Sequence, residues 1–235
     1  MSEVSKTLSF EKVVIKPAEK ISVSNLGIES VQRKVGPSGN YYYGQLPIIK
    51  GESKMSLIFL TNEIFFKGGI SLSSDFKGDC FYLNRDESTE NLFKNIRKLE
   101  KHIEKEEILL EDANSKMKKT SFKSCISEED EYGSSIRVYY KKQFQSKEVT
   151  TLLTGKGVES QPKTLEELKT HFRNRVTAKL VLSISSLKCS RSRELSLVIR
   201  CEQIKIVEEA KPREAVDYFA DLLKMKSKMC YVLKF

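Results

Sequence analysis

The chain has 235 residues, 39% apolar and 31% charged, a balance that suits a folded globular chain with one good core rather than a disordered one. Its longest apolar runs, such as Leu57-Ile58-Phe59-Leu60, stop far short of the roughly 20 residues that span a bilayer, so no membrane partner is expected. The net charge is +9, and residues 161 to 235 hold 16 Lys and Arg against 9 Asp and Glu, a concentration of positive field that suggests a polyanionic partner.

The opening segment MSEVSKTLSFEKVVIK lacks the apolar stretch of a secretory signal, and its early acids do not suit a transit peptide, so a cytoplasmic location is expected. Thr7 to Ile15 reads as a short strand and Lys16 to Ser30 as irregular. From Tyr41 to Leu83 the pattern is strand and turn. Tyr41 to Leu46, Lys54 to Thr61, Glu63 to Phe66, Ile70 to Leu72 and Cys80 to Leu83 are separated by Gly51, Gly68-Gly69 and Gly78. Closely spaced strands with no helix between them favour a sandwich or barrel.

Between residues 88 and 119 the period changes. Leu92, Ile96, Leu99, Ile103, Leu110, Ala113 and Met117 fall on a helical stripe broken at Glu106, with Asp86 or Ser88 available to cap the start and Lys116, Lys118 and Lys119 at the end. The spacing predicts one long amphipathic helix over 88–119. Phe93, Ile108 and Leu109 widen the stripe, which favours packing along the β-core over a heptad seam for self-association, although both uses remain open. His102 lies beside the stripe and reads as solvated.

Thr120 to Ser135 is polar and reads as a loop, Ile136 to Phe144 as a strand, and Val149 to Leu153 as another short strand. The capping box Thr164-x-x-Glu167 starts a helix over 163–173. Val176 to Ile184 and Leu195 to Cys201 then alternate with period two, predicting two long antiparallel strands joined by the basic connector from Lys188 to Arg193. The apolar parity shifts from odd at Leu195 to Cys201 to even at Ile204 and Ile206, which calls for a bulge near Glu202 or Gln203. Pro212 opens a final helix over 212–226, and Cys230 to Phe235 reads as a terminal strand or loose end.

Catalytic signatures are not found: no GxxxxGK[ST], GxGxxG, GxSxG or HExxH is present. The five cysteines are scattered without a CxxC and there are two histidines, so neither a zinc site nor any other cofactor is expected and the protein reads as a non-enzyme. What remains is basic strands with clustered tyrosines, the two ingredients by which single strands are held. Arg137, Lys141, Lys142, Lys179, Arg191, Arg193 and Arg200 are candidates to neutralise phosphates. Tyr42 and either Tyr139 or Tyr140 are candidates to stack on bases, alternation sending one of that last pair inward.

The order of a β-rich N-terminal half, an inserted helix and a late hairpin of the form AKLVLSIS…ELSLVIRCEQIKIVEE resembles the single-stranded DNA-binding proteins of large cytoplasmic DNA viruses and related linear DNA plasmids. The resemblance implies an OB-like barrel, sequence-independent coating of single-stranded DNA during replication or recombination, homo-oligomerisation, contact with replication proteins and, for a viral protein, the host cytoplasm. The sequence thus predicts a mainly β, α+β single domain over 1–235: an OB-like antiparallel barrel built from 41–83 and 136–209, with the helix 88–119 inserted and the helix 212–226 at the end. A structural or adaptor protein self-associating through 88–119, or an RNA-binding accessory factor, is the alternative.

Overall fold

The structure, a computed structural model, describes residues 9–28, 34–35, 41–42, 44–66, 80–106, 109–111, 117–130, 133–140, 152–155, 158–160, 164, 167, 176–189 and 194–209. In chain order the elements begin with β1 (Ser9–Ile15), β2 (Leu26–Ile28), β3 (Lys34–Val35), β4 (Tyr41–Tyr42), β5 (Gly44–Lys50), β6 (Ser53–Leu60), β7 (Ile64–Phe66) and β8 (Cys80–Asn84). Helix α1 (Glu90–Lys105) follows, then β9 (Leu109–Glu111), β10 (Met117–Lys119), β11 (Ser121–Phe122), β12 (Ile126–Asp130) and β13 (Gly133–Tyr140). The last are β14 (Leu152–Gly155), β15 (Val158–Ser160), β16 (Val176–Cys189) and β17 (Glu194–Glu209). This is a mainly β, α+β fold.

The long hairpin is its spine. β16 and β17 pair antiparallel from Val176 opposite Glu209 to Cys189 opposite Leu195. Between the pairs Val181–Gln203 and Leu182–Cys201, Glu202 is left without an opposite residue, and this is the bulge that the change of parity requires. It lets Leu197, Ile199 and Cys201 share the core with Ile204 and Ile206, all buried. A second irregularity sets Ser185 and Ser186 against Val198, so that burial in β16 passes from Ile184 to Leu187 and Cys189. The strand also runs two residues into the expected connector, since Lys188 pairs with Ser196.

Three strands share the free edge of β16: β5 meets 186–189, β6 meets 181–184 and β7 meets 176–178. β5 and β6 also pair with each other through Ile48 to Lys50 and Ser53 to Met55. β5 thus divides its length among β2, β6 and β16, and β6 among β1, β5 and β16. Gly51 sits in the turn between β5 and β6 with φ +59°, where a side chain is disfavoured. The outer edge of β17 takes β11, β13 and β14, all parallel to it, and β1 runs parallel to β6. The sheet is mixed rather than antiparallel throughout, because these strands arrive by long connections instead of hairpins. Among the described residues the main path runs from β1 to β12, and no pair joins those two ends.

The helix is shorter than its stripe suggested. It starts where the Asp86 carboxylate accepts the Thr89 N–H at 3.0 Å; Ser88 does not cap it, and its hydroxyl donates to Asp86 instead. It buries Leu92, Phe93, Ile96, Leu99 and Ile103 in the core, each such burial being worth roughly 1.5–3 kcal/mol. It then ends, with Glu106 already extended. The next turn would have to bury Glu106 or Glu107, and nothing favours carrying those carboxylates into the core. Leu109 and Leu110 pair instead with Lys119 and Lys118 in a two-stranded ribbon, which replaces the expected helix beyond Lys105. Residues 121–130, expected as loop, contribute β11 and β12.

Polar contacts tie α1 to its surroundings. Asn95 Nδ2 and Lys98 Nζ donate to the carbonyls of Glu19 and Ile21 at 2.9 and 2.8 Å, and His102 Nε2 lies 3.0 Å from the carbonyl of Leu26. His102 is therefore half-buried and engaged, not simply solvated. The buried Glu100 carboxylate accepts from Ser124 Oγ and from the Cys125 N–H at 2.7 Å. Of the helix expected over 163–173, the Glu167 N–H donates to Thr164 Oγ1 at 3.2 Å, as a capping box requires. The rest of that helix, Ile70 to Leu72 and the helix over 212–226 lie outside the described residues.

Candidate nucleic-acid interface

Alternation along β13 sorts its side chains. Ile136, Val138 and Tyr140 are buried, while Arg137 and Tyr139 face outward and are partly exposed. Tyr140 is the inward tyrosine: its ring lies 5.2 Å from that of Phe81 and its hydroxyl is buried without a partner among the described residues. Burial, with the Cys201 and Cys80 thiols nearby, pushes that phenol far above its ordinary value. Tyr140 thus serves the core and cannot stack on a base.

On the outward side Arg137 lies opposite Tyr82 of β8, the cross-strand placement at which rings and cations meet. The guanidinium donates from Nε and Nη2 to Tyr82 Oη at 3.1 and 2.8 Å and sits 5.4 Å from the ring centroid. Partial burial works to lower the pKa of Arg137, but hydrogen bonds with Tyr139 and Tyr82 outweigh it and the net shift is upward. One step along, Tyr139 stands opposite Arg200 of β17, and Arg200 in turn stands opposite Ser183 of β16. Burial lowers the pKa of Arg200 against the opposing pull of Glu202, whose carboxylate accepts the Ser183 hydroxyl at 2.5 Å. The result is a row of two rings and two guanidiniums across three strands.

Four residues along β16, about 13 Å at roughly 3.3 Å per residue, Lys179 faces outward on the same side. It stands directly opposite Lys205. Like charges in that position repel. Glu63 offsets part of this through an exposed ion pair with Lys179 at 3.2 Å, a contact of at most about 1 kcal/mol. Lys205 is exposed and has no ion pair among the described residues. With Lys16, Asn62, Thr61 and Gln203 these lysines line a groove of about 440 Å³. Phe65 is exposed nearby, but the cleft it shares with Lys179 also holds Glu63, Asp86 and Glu87, carboxylates that would repel a phosphate there.

The structure therefore brings Arg137, Tyr139, Arg200 and Lys179 onto one outward face. Tyr42 belongs elsewhere, in the β3–β4 ribbon, where it pairs with Lys34. Lys141, Lys142, Arg191 and Arg193 lie outside the described residues. Tyr82 and Lys205 were missed from the sequence, although alternation in both strands marks them: Phe81 and Leu83 are buried around Tyr82, and Ile204 and Ile206 around Lys205.

Among the described residues no group of three or more His, Cys, Asp or Glu side chains could hold a metal ion, and no helix is long and apolar enough to cross a membrane. No protein-family model matches the sequence, and no curated protein matches it.

Proposed function

We propose that the protein binds single-stranded nucleic acid, DNA by preference, on the outward face of the β8–β13–β17–β16 sheet, without catalysis and without regard to sequence. The observation that carries this reading is the Tyr82–Arg137–Tyr139–Arg200 row: rings able to take bases alternate with fixed cations able to take phosphates. Lys179 and Lys205 continue the positive path beyond it. An OB-like, coiled sheet belongs to this reading, supported by the way β5 and β6 each divide their length among several partners and both meet β16. A coating role in replication or recombination, with homo-oligomerisation along the strand, completes it.

The test is fluorescence anisotropy with a labelled mixed-sequence 30-mer, single-stranded, duplex and in its RNA form, titrated at several salt concentrations. Tight, salt-dependent preference for the single strand is expected. Replacing Arg137, Lys179 or Lys205 by Ala should weaken all sequences alike and flatten the salt slope by roughly 0.7 for each phosphate no longer neutralised. Replacing Tyr82 or Tyr139 by Ala should cost about 1–3 kcal/mol with little change of slope. Absence of binding, or equal affinity for the duplex, overturns the assignment, and preference for the RNA strand moves it to RNA.

A further inference from the structure

Helix α1 has a second charged surface that the sheet site does not use. Lys94, Arg97, Lys98, Lys101 and Lys105 recur at helical spacing on the side opposite the buried Ile96, Leu99 and Ile103, and all five are exposed. With Arg85 and His102 they line a groove of about 540 Å³. No carboxylate lines it among the described residues. Glu100 is buried at 3% exposure and lies 3.4 Å from Arg97, Glu106 lies 4.0 Å from His102 at the far end, and Glu90 is engaged at the helix start by Arg85 and Lys94 at 2.7 and 3.4 Å. Pairs at i,i+3 and i,i+4 engage Lys94, Arg97 and His102, and the five exposed cations still extend over about 16 Å at 1.5 Å per residue, with Lys101 and Lys105 outside those pairs.

The charge of the groove indicates its ligand. Of its apolar members Phe93 and Ile126 are only 2% and 3% exposed and Val23 is partly buried against the core, so much of the apolar surface at its rim comes from the stems of the long cationic side chains. Among the described residues no exposed aromatic ring other than the His102 imidazole lies there to stack on a base. The charged groups that line it among the described residues are all basic, spread over a length matching about five phosphates at the roughly 3.4 Å axial spacing of a stacked strand. Lys101 and Lys105 have no hydrogen bond or ion pair among the described residues.

The backbone links the groove to the sheet site. Arg85 follows β8 three residues after Tyr82, and its backbone N–H donates to the Ser134 carbonyl at 2.8 Å, extending the ladder in which Tyr82 faces Arg137. The geometry points to a second phosphate track: a single strand held by its bases at Tyr82 and Tyr139 passes over Arg85 and lays its phosphodiester backbone along α1, bases turned outward. This rests on the sheet reading and extends it to a longer footprint.

The variant K101Q/K105Q removes two exposed charges without touching the core. With the unaltered protein as reference, anisotropy is measured against a 6-mer, which covers the sheet row alone, and a 30-mer. The track predicts unchanged affinity for the 6-mer, about a tenfold loss for the 30-mer at low salt, and a salt slope lower by roughly 1.4, because two fewer phosphates are neutralised. Equal 30-mer affinity and slope in both proteins overturn the track and leave the sheet reading standing. Failure of the unaltered protein to bind either length overturns both. Tighter binding of a poly-glutamate peptide than of the 30-mer, abolished in K101Q/K105Q, overturns the phosphodiester assignment in favour of an acidic protein partner.

Discussion

Leu99→Ala separates a core helix from an association seam. Leu99 is fully buried, between Ile96 at 0% and Ile103 at 3% exposure, and truncating a leucine in such a place costs about 2–5 kcal/mol because the cavity only partly collapses. Taking about 3 kcal/mol, and roughly 2–4 °C per kcal/mol for a chain of this size, Tm falls by about 6–12 °C. The loss belongs to the folded unit, so it does not depend on protein concentration. Thermal unfolding at two concentrations a hundredfold apart, with sedimentation velocity on the same samples, checks this. Dissociation of an oligomer to a folded monomer whose own Tm is unchanged would refute burial of the stripe within the subunit and restore the seam.

Tyr140→Phe removes a buried hydroxyl that has no partner among the described residues, so stability stays level or rises by about 1 kcal/mol and strand affinity does not move; a loss of stability above about 1 kcal/mol in urea unfolding would show a partner for that oxygen. Gly51→Ala forces a side chain into a φ of +59° and costs about 1–2 kcal/mol, although the space around it is open; an unchanged urea midpoint would contradict the turn geometry. Cys80 and Cys201 are buried, and burial, followed by the charge of Glu202, raises the Cys201 pKa. Site-resolved mass spectrometry after iodoacetamide at pH 8 should find both unlabelled in the native protein and labelled in urea, and native labelling at the rate of a free thiol would refute their placement.

The hairpin was legible because its signal is local. Period-two burial survives any tertiary context that keeps one face dry, and the parity change at Glu202 could be resolved in no other way without exposing Ile204 and Ile206. The mirror irregularity at Ser185 and Ser186 left no such mark, because two serines carry no apolar phase of their own. The helix was overextended for the opposite reason: Leu110, Ala113 and Met117 fit the stripe arithmetically, but Glu106 and Glu107 supply no buried turn between them and Ile103, a cost that spacing alone does not register. Parallel contacts such as Tyr139 with Arg200 join residues some sixty positions apart. No spacing encodes them, so the sequence could set Arg137 and Tyr139 two apart on one strand but could not bring Arg200 beside them.

The two basic surfaces are built differently, and the difference assigns them different work. On the sheet, Arg137 is held by Tyr82 and Tyr139, and Arg200 is half-buried. Such cations have already given up much of their rotamer freedom, so a phosphate reaching them costs less ordering on binding. Along α1, Lys101 and Lys105 are mobile point charges on long stems, strongly hydrated and screened by salt. Removing a held guanidinium or a ring therefore shortens residence and shows in the dissociation rate. Removing the helix lysines instead lowers the association rate at low ionic strength, and its effect fades as salt is added. Stopped-flow association at two salt concentrations distinguishes these: a salt-independent effect confined to the dissociation rate in K101Q/K105Q would place the helix lysines in a rigid contact, contrary to their lack of any partner among the described residues.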